Sequence, residues 1–352
     1  MIDTMLMISG ILLGALFGFV LQRGRFCMNS AFRDIILMKD YTLLKAVVIA
    51  IVVQLIGFHL MASMDVIQLN PKPFLWGAVM VGGFIFGIGM VLAAGCASGT
   101  TYRVGEGMVG SFIALLGLMI GTVVTKLGAL SWLDSLLKTD MFTAITTTDL
   151  GVDPGPYLKE GSTSLTLANV LGLNPWILVG VISAVVLIVL VWKREKAAPK
   201  TEGSLYDKIF KQGWNWWVTG IAVGIVGLMA FPIFKSYALG VSGGWFSFLN
   251  TLITGDANNL NWFAFLVMGI VVGAAVSALI AGEFKLRAPT GKRIIQQFIG
   301  GLIMGIGAII GTACNIGHIL TGIPQLSVGS IVGGMFIVLG SWVAAYLMFM
   351  RE

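Results

Sequence analysis

The chain alternates long apolar stretches with short segments rich in charged and turn-forming residues. Nine of these stretches come close to the roughly 20 residues that an α-helix needs to cross the hydrocarbon core of a bilayer. The pattern therefore predicts an all-α, polytopic membrane protein with about nine transmembrane helices. The predicted helices cover residues 5–22, 44–63, 74–94, 107–126, 176–192, 215–234, 261–281, 294–312 and 327–349.

Composition argues against a water-soluble protein. Hydrophobic residues make up 57% of the chain and charged residues only 11%, against about 25% charged residues in typical soluble domains. A chain so poor in charge cannot bury all its apolar side chains in one soluble core, so lipid must surround it. The 47 glycines fit this interpretation, because glycine permits close contact between membrane helices.

Positively charged residues cluster after the first, fifth, seventh and ninth spans. Basic connections stay in the cytoplasm, so we expect a bacterial cytoplasmic membrane protein with its N-terminus outside and its C-terminus in the cytoplasm. The net charge of +6 then reflects topology and anionic lipid headgroups. Nucleic acid is not an expected partner, because no basic soluble domain is present. The basic residues are Arg23, Arg25, Arg33 and Lys39; Lys193, Arg194, Lys196, Lys200, Lys208 and Lys211; Lys285, Arg287, Lys292 and Arg293; and Arg351.

An internal duplication relates residues 82–99 to residues 300–317 without a gap, and it pairs Cys96 with Cys314. The two copies indicate two homologous halves. In the expected topology the third span runs inward and the eighth runs outward, so the repeat should be inverted. Such transporters bind substrate near the bilayer midplane, on broken helices between the repeats. The expected divisions are a first membrane repeat with a linking helix (1–192), a basic cytoplasmic linker (193–213) and a second membrane repeat (214–352).

Each repeat contains a stretch of Gly, Ser, Thr and Asn with a cysteine inside it, which would interrupt a membrane helix. Non-helical backbone at membrane depth persists only where it is buried in protein or lines a watery cavity. A helix that restarts after such a break aims free N–H groups at the cavity and favours an anion. The alternative is an ordinary surface turn between spans. The candidate site residues are Gly95, Cys96, Ala97, Ser98, Gly99 and Arg103 in the first repeat, and Cys314, Asn315, Gly317 and His318 in the second.

Cys27 follows the first span in a third segment of this kind, beside Arg25. The chain has three cysteines, and an odd number cannot be fully paired, so a disulfide framework is not expected. A free cysteine is commonly just a small buried hydrophobe. All three lie beside Gly, Ser, Asn or Arg, which favours a functional role. Arg25 is a candidate anion contact, with headgroup contact as its alternative.

Thiols favour a soft ligand, because sulfur is a weak donor and a soft acceptor. The site could take a sulfur-bearing anion, a selenium analogue or a soft cation. Arginines outnumber carboxylates beside the breaks, which favours the anion. We therefore predict a transporter of a small sulfur-containing anion.

Two other functions stay open: a permease for soft metals or selenium species, and a membrane sulfurtransferase that would carry a persulfide on a cysteine. The sequence has neither a phosphate-binding glycine-rich loop with its lysine nor a His/Asp/Glu cluster. We therefore expect no cofactor, no metal site and no enzymatic activity.

At these residues the chain resembles the YeeE/YedE family, over about residues 13–343. Three motifs occur in the family's order, which makes the resemblance specific. They are residues 22–27 with 32–34, residues 95–100 with 102–107, and residues 314–317.

The resemblance implies an hourglass of membrane helices with short re-entrant helices that converge at its centre. It implies thiosulfate uptake, in which Cys27, Cys96 and Cys314 pass the ion along by S–H···S contacts. It also implies a possible cytoplasmic partner, a sulfur-carrier protein of the TusA type, and some relatives are linked to selenium. His318 stands where the family's third motif has a small or polar residue, which leaves the substrate and its proton coupling open.

Overall fold

A computed structural model describes residues 4–192, 204–234 and 238–350. The predicted cytoplasmic linker falls partly outside these residues. Of the residues described, helices dominate, and the β-type contacts are isolated bridges. The α-helices are α1 (Thr4–Arg23), α2 (Met28–Leu37), α3 (Thr42–Ser63), α4 (Trp76–Leu92), α5 (Ala97–Gly105), α6 (Val109–Lys126), α7 (Ser131–Ser135), α8 (Thr147–Leu150), α9 (Leu167–Leu171), α10 (Pro175–Trp192), α11 (Trp216–Phe234), α12 (Ser242–Thr254), α13 (Trp262–Ile280), α14 (Gly291–Ile310) and α15 (Val328–Phe349).

Nine helices within the described ranges are long and apolar enough to cross a membrane, which confirms the prediction. They are α1, α3, α4, α6, α10, α11, α13, α14 and α15. Helix α10 shows why a bilayer is required, because Ile177, Val181, Leu187 and Ile188 are each more than half exposed. An apolar surface of this kind is stable against lipid and not against water. The chain is a multi-pass membrane protein.

Short helices interrupt the series in a regular way. A short helix follows α1, α4, α11 and α14, and a long helix then follows each short one. Three of the short helices are α2, α5 and α12, and the fourth is a π-helix, Ile316–Gly322. The break before α12 was not predicted from the sequence, because residues 238–241 contain no cysteine.

Long helices pack in reciprocal pairs. Helix α1 packs against α13 as α11 packs against α3, and α4 packs against α15 as α14 packs against α6. If α1 is exchanged with α11, α3 with α13, α4 with α14 and α6 with α15, each of these contacts becomes another contact that is present in the structure. Two related halves would produce such reciprocity, whereas their inverted orientation and the hourglass stay predictions.

The repeated glycines lie where α4 crosses α14. A Cβ added to Gly89 would lie 2.5 Å from the backbone nitrogen of Met304. Only glycine allows the two backbones to approach so closely. The duplicated glycine pattern therefore brings together the two helices that lead to Cys96 and Cys314.

The connection between α6 and α10 folds over the ends of the spans. Isolated bridges join it to the segment before α4 and to the start of α15, at Leu69 with Leu158 and Thr166 with Ser327. Buried Gln325 links the segment before α4 to the π-helix: it accepts from the Asn70 nitrogen at 2.8 Å and donates to the Thr321 carbonyl at 3.0 Å.

Candidate functional site

Each cysteine lies two residues after a non-glycine residue with a left-handed backbone. The φ angles are 46° at Arg25, 58° at Ala94 and 68° at Thr312. Such residues are uncommon and costly outside glycine. A left-handed residue therefore precedes all three thiols at the same spacing, and the helix breaks predicted from the sequence are present.

Hydrogen bonds define the turn. The Phe26 nitrogen donates to the Leu21 carbonyl at 2.9 Å, and the Gly95 nitrogen donates to the Met90 carbonyl at 3.0 Å. These bonds close the ends of α1 and α4 in the manner of a Schellman motif. Cys27 and Cys96 then serve as the N-caps of α2 and α5. The cysteines that follow these turns are buried, and so is Phe26, whereas Arg25 is exposed and Ala94 is half-buried.

Two thiols from different breaks meet. The Sγ atoms of Cys27 and Cys96 lie 3.7 Å apart, and both cysteines are free. The Gly99 nitrogen donates to the Cys96 Sγ at 3.3 Å, and the Ser98 hydroxyl lies 3.4 Å from the same sulfur. The Ala97 carbonyl accepts from Thr100, which fixes the first turn of α5.

Two helix N-termini converge on this thiol pair, because Cys27 and Cys96 are the N-caps of α2 and α5. The first N–H groups of a helix have no partner inside it, and the N-terminus carries a partial positive charge. The thiol pair thus combines two soft sulfur atoms with two positive helix ends. Anions that carry sulfur fit such a combination.

The third break reaches the first one. The Asn315 amide nitrogen donates to the Met28 Sδ at 3.0 Å. Cys314 is buried and belongs to the same core cluster as Cys27 and Cys96. The contact between Met28 and Asn315, which follow Cys27 and Cys314 in the chain, therefore joins the first break to the third.

In each repeat a positively charged side chain donates a hydrogen bond to the backbone carbonyl two residues before the cysteine. Arg103 donates to the Ala94 carbonyl at 2.7 Å, and the Lys72 ammonium donates to the Thr312 carbonyl. Ala94 and Thr312 occupy the same place in the duplicated sequence, two residues before a cysteine. Lys72 was not among the sequence candidates, although a lone lysine in a connection poor in basic residues is a signal that could have found it.

Arg25 points away from the thiols and belongs to a network of ion pairs and hydrogen bonds around Glu283. Glu283 accepts from buried Arg23 at 2.5 Å and from exposed Arg25 at 3.1 Å. Gln22 donates to both Glu283 and Glu106. Partial burial opposes ionisation of Glu283, but the hydrogen bond from Gln22 and the charges of Arg23 and Arg25 hold its pKa below the ordinary value. This network fastens the end of α1 to the connection after α13.

His318 is buried and engaged by protein through both ring nitrogens. Its Nε2 lies 2.7 Å from the Gly311 carbonyl, which requires Nε2 to donate, and its Nδ1 lies 3.4 Å from the Ser330 hydroxyl. The ring therefore ties the π-helix to the end of α14. Gly317, another sequence candidate, is buried within the same π-helix.

The break before α12, together with α12 itself, contacts two of the other three breaks. Trp245 donates to the Thr101 hydroxyl of α5 at 2.9 Å. The Thr321 hydroxyl of the π-helix donates to the Leu239 carbonyl at 2.9 Å. Sequence reasoning missed these residues, because neither contact follows from a local pattern.

The three cysteine breaks lie within one family match. A family model described as "Sulphur transport" matches residues 23–343, which is most of the chain. The chain belongs to the sulphur transport family. This membership confirms the resemblance that the three motifs carry.

Relatives within the sulphur transport family extend over nearly the whole chain. The thiosulfate transporter TsuA of Spirochaeta thermophila is 41% identical over 348 residues, which is 97% of this chain and 99% of that protein. TsuA of Escherichia coli is 32% identical over 356 residues, which is 98% of this chain and 96% of that protein. The probable transporter YedE of Escherichia coli is 35% identical over 116 residues, which is 32% of this chain and 28% of YedE.

Proposed function

We propose that this chain imports thiosulfate across the bacterial cytoplasmic membrane. The observation that carries the proposal is the pair of free thiols 3.7 Å apart at two converging helix N-termini. Full-length similarity to relatives named thiosulfate transporters supports the substrate. Thiosulfate matches the site because it joins a soft terminal sulfur to an anionic, oxygen-bearing end.

The proposed mechanism is a relay along neutral thiols. Moving a dianion through hydrocarbon costs far more than a few hydrogen bonds return. Several weak sites in series allow an ion to enter and also to leave. Uncharged thiols suit such sites, because a thiolate would repel the anion. The ion passes from Cys314 to the Cys27–Cys96 pair by S–H···S contacts, without a lasting covalent bond.

The direction follows from the proposed topology. With the N-terminus outside, α14 ends on the outer side, so Cys314 and Lys72 lie toward the exterior. Helices α1 and α4 end on the inner side, so Cys27 and Cys96 lie toward the cytoplasm. In this proposal the two halves, residues 1–192 and 214–352, are inverted and form an hourglass, and the reciprocal helix pairing supports their relation as repeats.

The cytoplasmic partner in this proposal is a sulfur-carrier protein of the TusA type. The end of α1 presents exposed Arg25, which has 71% of its side chain accessible. Basic connections flank this end of the passage, and they are complementary to an acidic surface on a carrier. A thiolate of such a carrier would take the terminal sulfur of the emerging thiosulfate as a persulfide, and breakage of the S–S bond of thiosulfate would release sulfite.

A growth assay tests the proposed function. A bacterium that lacks its own sulfur transporters is given thiosulfate as sole sulfur source and rescued with this chain. We expect Cys27→Ser, Cys96→Ser and Cys314→Ser each to lower the initial rate of labelled thiosulfate uptake at least tenfold. Normal uptake in every single variant would contradict the relay.

Mass spectrometry separates the transporter from a membrane sulfurtransferase. An enzyme of that kind retains a persulfide on a cysteine after exposure to thiosulfate, whereas a relay returns each thiol unchanged. The positive helix ends at the thiol pair disfavour a soft cation. Competition of labelled uptake by selenium-containing anions and by Cu(I) distinguishes the permease alternatives.

A further inference from the structure

Asn29 is a buried amide whose hydrogen-bonding capacity is unused. It lies in the first turn of α2 and is fully buried. Among the described residues, neither its amide nitrogen nor its amide oxygen has a hydrogen-bond partner. Leaving such a group unsatisfied in the interior destabilises a fold, so an orphaned amide calls for an explanation.

The residues just before Asn29 define its position. Cys27 contacts Cys96 at 3.7 Å, and Met28 accepts from Asn315 at 3.0 Å. Asn29 thus lies in the turn at which the first break meets both the second and the third. The Asn315 amide oxygen is also buried and has no hydrogen-bond partner in the part of the chain that the structure describes, so the same region holds a second amide with an unpaired atom.

Amides and thiols suit opposite ends of a sulfur oxyanion. A thiol hydrogen-bonds weakly to soft sulfur, whereas an amide N–H donates to hard oxygen. An amide carries no charge, so it orients an anion without trapping it. Ser98 occupies the position in α5 that matches Asn29 in α2, but its hydroxyl already lies 3.4 Å from the Cys96 sulfur. Asn29 is the side chain of this pair with free capacity.

We propose that Asn29 binds the oxygen-bearing end of the transported anion while the Cys27–Cys96 pair contacts its terminal sulfur. This inference rests on the proposed function. It makes Asn29 a specificity-determining residue, which favours thiosulfate over oxygen-free anions such as hydrosulfide. The unsatisfied amide is then the cost of a site that is completed by substrate.

Two substitutions test the inference, with a matched control elsewhere in the fold. Asn29→Leu keeps similar volume but removes the polar atoms, and Asn29→Asp keeps the shape but adds negative charge. The control is Gln54→Leu in α3. Gln54 is also fully buried, and neither of its amide atoms has a hydrogen-bond partner within residues 4–192, 204–234 and 238–350; it lies against Gly227 of α11.

Three measurements are made on the full chain: its melting temperature without ligand, the rise in that temperature with thiosulfate, and the initial rate of labelled thiosulfate uptake. We expect Asn29→Leu to melt no lower than the natural chain, because an orphaned amide is removed. Its uptake should fall about tenfold, as loss of one hydrogen bond to an anion implies. Thiosulfate should no longer raise its melting temperature, whereas hydrosulfide should compete with residual uptake more effectively than before. Asn29→Asp should transport less still, and Gln54→Leu should transport normally.

Each contrary result has a definite meaning. Normal uptake by Asn29→Leu, with uptake intact in the natural chain, overturns the inference and leaves the proposed function standing. Equal losses in Asn29→Leu and Gln54→Leu would assign the effect to packing and also overturn it. If Asn29→Leu does not fold, the Asp variant decides, and normal uptake there is again contrary. Absence of thiosulfate uptake by the natural chain defeats the proposed function itself.

Discussion

Gly99 packs against the Cys27 side chain so closely that a Cβ added at Gly99 would lie 2.7 Å from the Cys27 Sγ. The same Cβ would lie 3.2 Å from the Cys96 Sγ. The separation of the two thiols therefore depends on a missing side chain in α5.

We expect Gly99→Ala to push Cys27 away and to reduce thiosulfate uptake about tenfold, with a loss of about 1–3 kcal/mol in stability from overpacking. Labelled uptake and the melting temperature measure the two effects. Gly180→Ala in α10 is the matched control, because a Cβ there meets nothing within 4 Å. Undiminished uptake by Gly99→Ala would show that thiol spacing does not limit transport.

Mercuric ion should serve as a chemical probe of the thiol pair, because it displaces the thiol protons and bonds directly to sulfur. Mercuric ion binds two thiolates, and the Cys27 and Cys96 sulfurs are close enough to share it. We expect intact mass spectrometry to detect one tightly held Hg²⁺ in the Cys314→Ser chain. Replacing either Cys27 or Cys96 by Ser should abolish this adduct, and saturating thiosulfate should slow its formation. Retention of the adduct in both Ser variants would mean that the thiols do not act as a pair.

Lys72 should give anion binding a pH dependence. Burial lowers the pKa of its ammonium to about 8, and the like charge of Lys138 acts in the same direction. Below pH 8 the ammonium is charged and attracts an anion near Cys314, whereas above pH 8 it is neutral. We expect thiosulfate affinity of the purified protein to fall between about pH 7 and pH 9.

The control for this pH effect is Lys72→Arg, which stays charged and should flatten the profile. The effect on folding has the opposite sign. Because the pKa is lowered from 10.5, burying the charged form costs stability in full below pH 8, and this cost is relieved as the pH rises toward 10.5. An unchanged affinity profile in Lys72→Arg would assign the titration to another group.

Glu283 should stabilise the fold mainly through its ion pair with buried Arg23, and only weakly through its ion pair with exposed Arg25. Its carboxylate neutralises Arg23, which is only 1% exposed. We expect Glu283→Gln to destabilise the chain by about 1–3 kcal/mol, because a buried guanidinium loses its charged partner. Arg25→Gln removes the exposed partner of the same carboxylate and should change stability by less than about 0.5 kcal/mol.

Acid should have a similar effect on the Glu283 ion pair. The pKa of Glu283 is below its ordinary value of 4.5, so the stability that its charge contributes is present above pH 4.5 and is lost as the pH falls through the lowered pKa. Melting temperatures measured from pH 7 downward should therefore decline less in Glu283→Gln than in the natural chain. Parallel declines would show that another carboxylate governs acid stability.

Local patterns explain what the sequence could predict. The nine spans follow from runs of apolar residues, and the breaks at Cys96 and Cys314 follow from clustered glycines and short polar residues. The break before α12 was missed because its residues 238–241 resemble an ordinary connection. The hydrogen bond of Lys72 to Thr312 and the unpaired amide of Asn29 among the described residues depend on parts of the chain that are far apart in sequence. No local pattern reveals them.

Helix α2 carries consecutive residues toward two different neighbours, Cys27 toward α5 and Met28 toward the π-helix. A small tilt of this one segment would therefore loosen one junction while tightening the other. In the proposed relay, movement of this one short helix would shift an ion from one contact to the other without movement of the long helices.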